Sequence, residues 1–152
     1  MEYIRLARLI ATGAHCGQVD KGGNPYIEHP KTVAFLVSTK EEKIVAWLHD
    51  VVEDTDVTLS DLLTLFDYKT VKAVEAITRK DGEDRKAYLA RVKANPIATR
   101  VKIADLTHNS DLSRIKRPLT DEDIERRRRY QEEIEYLRGE YYGRKEDQSS
   151  II

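Results

Sequence analysis

The stretch Ala46-Trp47-Leu48-His49-Asp50-Val51-Val52-Glu53-Asp54-Thr55 sets a histidine and an aspartate side by side inside an apolar run. Ionisable side chains are seldom buried unless they are paired or hold a metal. Two other segments repeat the pattern: His29 within Tyr26-Ile27-Glu28-His29-Pro30, and Asp105 within Val101-Lys102-Ile103-Ala104-Asp105-Leu106. Three separated segments therefore offer nitrogen and oxygen donors of the kind that suits a first-row divalent metal. On a continuous helix neighbouring side chains diverge by about 100°. One ion can serve both His49 and Asp50 only from a position between their directions, with His29 and Asp105 closing the shell. Two histidines and two carboxylates leave positions free on an octahedral ion. Catalysis needs such openings, whereas a structural zinc site is closed and usually rich in cysteine.

Around these segments the pattern predicts an all-α fold. Ile4, Ala7, Ala11 and Ala14 recur at helical spacing, and Leu6, Ile10 and Gly13 widen the stripe. Gly17, Gly22 and Gly23 interrupt it. Pro30 is expected as the first residue of a helix through Val33, Ala34 and Leu36. Glu41 to Val51 reads as a third helix. Thr58 and Asp61 resemble a capping box ahead of Leu62, Leu63 and Leu65. Val71, Val74 and Ile77 continue the pattern as far as Arg79-Lys80-Asp81-Gly82. Tyr88, Leu89 and Val92 mark a helix stopped by Asn95-Pro96, and Ile97 to Asn109 forms the helix that carries Asp105. Thr120 and Asp123 cap a last helix reaching about Arg138. No strand alternation, internal repeat or interdomain linker interrupts this series. A single domain over residues 1–138 is expected, with a loose polar tail from Gly139 to Ile152.

A chain of 152 residues is long enough to bury a real core. Its formal net charge of −1 gives no global field toward nucleic acid or a membrane surface. A phosphorylated ligand would need a local basic site. Cys16 is the only cysteine, so no internal disulfide can form and a reducing compartment is expected. Cys16 itself reads as a small core or near-surface residue. The N-terminus opens directly into amphipathic sequence, without a signal-peptide pattern. No apolar run approaches the ~20 residues of a membrane span, and a cytoplasmic location is expected. Arg126-Arg127-Arg128-Arg129 suggests nucleic acid at first sight. Its i,i+4 spacing to Glu122, Asp123, Glu125, Glu132 and Glu133 instead reads as a solvated face laced with ion pairs. Oligomeric state is not written in the pattern.

The order of His29, then His49-Asp50, then Asp105 resembles the HD superfamily of metal-dependent phosphohydrolases. The flanking text narrows the likeness. Ala14-His15-Cys16-Gly17-Gln18, Lys21-Gly22-Gly23-Asn24-Pro25-Tyr26-Ile27-Glu28-His29-Pro30, Leu48 to Thr55, and Val101 to Asn109 are all similar to the hydrolase domain of RelA/SpoT-type enzymes, which make and degrade guanosine alarmones. The likeness runs in order from about Ile4 to Arg114, the span of a stand-alone small alarmone hydrolase. Taken alone, His29 reads as a core polar residue with its hydrogen bonds satisfied. The metal reading rests on the four residues together and gains part of its weight from this resemblance.

The resemblance implies removal of pyrophosphate from the ribose 3′ position of a purine nucleotide, with Mn²⁺ as the metal. It assigns His29, His49, Asp50 and Asp105 as ligands, Glu53 as the base that takes a proton from the attacking water, and Asp54 as the group that orients it. Asp56 reads as an ordinary polar residue of the following turn. Asn109 is either a ribose or phosphate contact or a helix C-cap. Lys21 is either a phosphate contact or an exposed lysine. His15 is expected to bond within the glycine-rich turn, and Arg114, Lys116 and Arg117 are candidate 5′-phosphate contacts. The chain departs from the family pattern at Asp20, where many members carry an arginine lying over the guanine, and over Ser110-Asp111-Leu112-Ser113-Arg114. Both departures point to loosened purine selection. Two other readings stay open: another nucleotide phosphatase or phosphodiesterase, and a helical binding module without activity.

Overall fold

The computed structural model describes residues 2–139. The tail expected at 139–152 lies outside them, apart from Gly139. Helices α1 (Glu2–Ala14), α2 (Glu28–Leu36), α3 (Lys40–Leu48), α4 (Val51–Asp54), α5 (Leu59–Leu63), α6 (Tyr68–Ile77), α7 (Arg85–Lys93), α8 (Pro96–Asn109) and α9 (Asp121–Leu137) follow in order, with a 3-10 turn at Leu112–Arg114. The described residues contain no strand, only one isolated bridge between Val19 and Pro25.

The helices start where short polar side chains satisfy their first N–H groups. Reciprocal capping boxes form at Thr58 with Asp61 and Thr120 with Asp123, as expected, and at Thr39 with Glu42. Asp67, Asp84 and Asn95 cap α6, α7 and α8. Helix α2 begins at Glu28, two residues before the expected Pro30. Proline fits there because first-turn N–H groups have no intrahelical acceptor.

Helix α3 is the centre of the core and packs against α1, α2, α6 and α8. It buries Ile44, Val45, Ala46, Trp47 and Leu48. Ala7 and Ala11 of α1, Val33 of α2, Val74 of α6, Val92 of α7 and Val101 and Leu106 of α8 complete the interior. The small residues of α1 let it approach α3 closely.

One expectation is corrected here. Glu41 to Val51 is not one helix: α3 stops at Leu48 and α4 starts at Val51. Asp50, between them, adopts φ −105°, ψ −4°, at the edge of the right-handed helical region. The two side chains still meet across this kinked turn, with His49 Nε2 3.0 Å from Asp50 Oδ2. Cys16 is exposed, matching the near-surface half of its reading.

Candidate metal centre

Three segments meet beside a cavity that His29 helps to line. The first turn of α2 supplies His29, the α3–α4 junction supplies His49 and Asp50, and the middle of α8 supplies Asp105. His29 Nε2 lies 2.8 Å from Asp105 Oδ1 and 3.9 Å from Asp50 Oδ2. His49 Nε2 lies 3.0 Å from Asp50 Oδ2 and 3.4 Å from Asp105 Oδ1. His29, His49 and Asp105 are buried, and Asp50 is partly so. All four predicted ligands thus come together.

The donor set fits a divalent cation. His49 Nδ1 donates to the Ala46 carbonyl at 2.6 Å, which leaves Nε2 as a lone-pair donor. That Nε2 is buried and makes no hydrogen bond. An orphaned buried polar atom costs about 1–3 kcal/mol, and a cation placed among these donors removes the cost. The electrostatics agree. Burial alone would depress the His49 pKa, but the Asp50 and Asp105 carboxylates push it well up. Against its own burial, Asp50 is held down to about 2 by His49 and His29. A field that favours a proton here favours any cation.

Three neighbours are absent from the sequence reading. The Tyr26 hydroxyl donates to Asp50 Oδ2. Lys102 Nζ donates to Asp105 Oδ2 at 2.7 Å, which leaves Oδ1 facing the histidines. His108 Nδ1 is 2.7 Å from His29 Nδ1. The two rings are nearly coplanar, 11° apart, with centroids separated by 5.0 Å, so they meet edge to edge and share one proton. Burial, Arg114 and His29 together depress the His108 pKa to about 4. His108 is then the acceptor, and His29 carries its proton on Nδ1 when Nε2 serves as a ligand. A signal existed for two of them: Lys102 and His108 flank Asp105 by three residues on α8, the spacing of one helix face.

Glu53 and Asp54 stand at the exposed rim. Carboxylate oxygens of Asp50, Glu53 and Asp54 lie within 4.8 Å of one another. Glu53 Oε1 accepts from the Arg79 N–H at 2.9 Å, which leaves its second oxygen available. Partial burial, then Asp50 and Glu53, raise the proton affinity of Asp54. The cavity encloses about 630 Å³, and its lining includes Lys21, Tyr26, His29, Asn109, Arg114 and Tyr130. Asn109 is the last residue of α8, whose cap is Ser110, and its Nδ2 donates to Asp105 Oδ1 at 3.1 Å. His15 bonds Gln18 within the turn at 2.9 Å, as expected.

The arginine run is only partly as expected. Arg126 pairs with Glu122, and Arg128 with Glu125 and Glu132. Asp123 turns inward to the fork of Arg117, at 2.7 and 2.9 Å, and Glu133 takes Arg85. Long-range partners thus displace two of the ladder pairs, and Arg117 is withdrawn as a free phosphate contact.

No protein-family model matches the chain. It is 34% identical over 125 residues to the bifunctional (p)ppGpp synthase/hydrolase SpoT of Escherichia coli K12, covering 72% of this chain and 18% of that protein. It is 36% identical over 111 residues to a probable guanosine-3′,5′-bis(diphosphate) 3′-pyrophosphohydrolase of Synechocystis, covering 62% of this chain and 14% of that protein. The chain thus spans less than a fifth of the length of these curated relatives. A solved structure described as a metazoan ortholog of SpoT that hydrolyses ppGpp superposes with a TM-score of 0.74 at 23% identity, over 93% of this chain and 89% of that one, which shows the shared fold. The chain belongs to the family of HD-type RelA/SpoT hydrolase domains.

Proposed function

We propose that this chain is a metal-dependent 3′-pyrophosphohydrolase of purine alarmone nucleotides. It would release pyrophosphate and GDP or GTP from (p)ppGpp, or the adenosine equivalents from (p)ppApp. The observation that carries the reading is the convergence of His29, His49 and Asp105, with Asp50 Oδ2 beside both histidines, next to a cavity that His29 helps to line with several cations. The names of the relatives supply the substrate class. The mixed nitrogen and oxygen set suits manganese. Such an ion would polarise a phosphoryl oxygen and acidify water.

The chain's own residues do the rest. Glu53, fixed at one oxygen by the Arg79 N–H, accepts the proton of the attacking water with the other. Asp54 orients that water. Tyr26 and Lys102 each hold one oxygen of Asp50 and Asp105, so the ligands keep their aim through turnover. Lys21 and Asn109 face the nucleotide. The single cysteine supports a reducing setting such as the cytoplasm.

The test is a panel of purine nucleotides incubated with the full chain and Mn²⁺, scored for pyrophosphate against phosphate. Pyrophosphate from 3′-pyrophosphorylated nucleotides is expected. Phosphate alone would assign another phosphoesterase. No turnover by a metal-loaded protein would leave a binding module.

A further inference from the structure

The cavity beside the metal centre is lined by five cations, Lys21, Arg114, Lys116, Arg117 and Arg126, and their edges are not equally free. Arg117 is locked on Asp123. Arg126 is shared between Glu122 and Asp123, at 3.5 Å each. Lys116 gives one N–H to Asn24 Oδ1 at 3.1 Å, and Lys21 has no partner among the described residues. Arg114 is held in a third way. Its Nη1 donates to the His108 carbonyl at 3.2 Å and to Asn109 Oδ1 at 3.3 Å, and its Nη2 sits 3.5 Å from Asp20 Oδ2.

A guanidinium grips phosphate through its in-plane N–H edge and stacks on flat groups through its face. In Arg114 both Nη nitrogens already face protein oxygens. With Nη1 fully engaged and Nη2 turned to Asp20, its flat face is the larger part of what it can offer the cavity. Asp20 closes a turn with one oxygen and aims Arg114 with the other. Asp20 Oδ1 accepts from the Gly22 and Asn24 N–H groups, each at 2.9 Å, and Oδ2 faces Arg114. The turn it closes presses on the 3-10 segment: a Cβ on Gly22 would lie 3.2 Å from the Arg114 carbonyl. Of the other two carboxylates of the lining, Asp123 is taken by Arg117, and Asp111 spends Oδ1 on the Ser113 N–H and hydroxyl. None of these acids is free to read the edge of a base in full.

We propose that Arg114, aimed by Asp20, is the platform on which the purine stacks, that Lys21 and Lys116 are left to meet phosphates, and that guanine and adenine are therefore told apart weakly. The proposal rests on the nucleotide reading above. Stacking tolerates any base because every base has a π-face.

The test is equilibrium binding to the full chain of guanosine 3′,5′-bisphosphate, adenosine 3′,5′-bisphosphate and the abasic ribose 3′,5′-bisphosphate. Wild type should bind the two nucleotides within about tenfold of each other, and Arg114→Lys should weaken both about tenfold while leaving the abasic ligand within about twofold. Asp20→Asn, which keeps the turn acceptor but drops the charge, should weaken the two nucleotides by a smaller factor and spare the abasic ligand. Equal loss on all three ligands in Arg114→Lys would make Arg114 a phosphate contact and overturn the proposal. No loss on any ligand overturns it too, and so does a guanosine preference above about a hundredfold, worth ~2.7 kcal/mol. If Asp20→Asn changes nothing, Asp20 does not aim Arg114. Pyrophosphate release by wild type is measured in parallel. Base-dependent binding without turnover would sink the hydrolase reading alone, and turnover without base-dependent loss would sink the platform alone.

Discussion

Asp50 Oδ2 sits 3.9 Å from His29 Nε2 and 3.0 Å from His49 Nε2, at the junction where α3 gives way to α4. Removing its carboxylate takes away one candidate ligand and leaves the Tyr26 hydroxyl without its acceptor. The second loss costs about 1–3 kcal/mol, which a domain with about 5–15 kcal/mol in hand survives. Asp50→Ala is therefore expected to stay folded, lose metal and lose turnover. Elemental analysis after gel filtration and circular dichroism check it, and wild-type turnover by the folded variant in excess Mn²⁺ would refute the assignment. Glu53→Gln is a different case. Glutamine still accepts from the Arg79 N–H, so the rim keeps its shape. Metal content should hold while kcat falls by ~10²–10⁴, the contribution of a positioned acid–base group. A fall of less than about tenfold would mean Glu53 is not the base, and a parallel Asp54→Asn variant shows whether its neighbour is. Parallel loss of metal would make Glu53 a ligand.

The junction of α6 and α7 ties the rim to the scaffold. Arg91 Nη1 donates to the Glu75 and Ala76 carbonyls at 2.8 and 3.0 Å, and Nη2 to the Thr78 carbonyl at 2.9 Å. These are carbonyls at the end of α6, of which the Glu75 one also accepts the Thr78 N–H at 3.2 Å. The same guanidinium forks onto Glu83 at 3.1 and 2.8 Å. The strap encloses Arg79, whose N–H holds Glu53. Arg91→Ala should cost roughly 2–3 kcal/mol, because several backbone acceptors and one carboxylate lose their donor together. Chemical denaturation measures it, and a loss within about 0.5 kcal/mol, the scatter of surface changes, would dismiss the strap. The pair also has a pH signature. Hydrogen bonds from Arg91, then the Lys80 N–H, hold Glu83 down to about 2 from an ordinary 4.5. A depressed carboxylate contributes stability that is present above its unfolded pKa and lost as pH falls through its folded one. The melting-temperature gap between wild type and Glu83→Gln should thus be steady above pH 4.5 and close as pH falls toward 2. A gap that stays open in acid contradicts the pairing.

On the scale of the whole molecule, the centre joins α2, the α3–α4 junction and α8, so an ion held there stabilises the packing of three separate parts of the chain. A ligand bound only to the folded state stabilises by RT ln(1 + [L]/Kd), about 2.7 kcal/mol at a hundred times Kd. For a chain of this length that corresponds to a rise of roughly 5–10 °C in Tm. Differential scanning fluorimetry with and without Mn²⁺ should show the rise, EDTA should reverse it, and Asp50→Ala should lack it. A wild-type Tm indifferent to Mn²⁺ would argue against a site. No described helix is long and apolar enough to cross a membrane.

Local chemistry was legible in the order of residues. Thr58 with Asp61 and Thr120 with Asp123 close their boxes within three residues, a distance that chain geometry alone sets. The apolar stripes of α1, α6 and α8 followed from helical spacing, and the donor set followed from ionisable residues lodged in apolar runs. The convergence of three segments was inferred from that chemistry and from family likeness, not from spacing. Tertiary structure decided the rest. The break at Asp50, the edge-to-edge contact of His29 with His108, the capture of Asp123 by Arg117 and the clamping of Arg114 by Asp20 all depend on which surfaces meet. A side chain chooses among acceptors several ångströms away only after packing has brought them there. Sequence spacing specifies partners one helical turn apart, whereas distant partners are specified by the shape of the whole core.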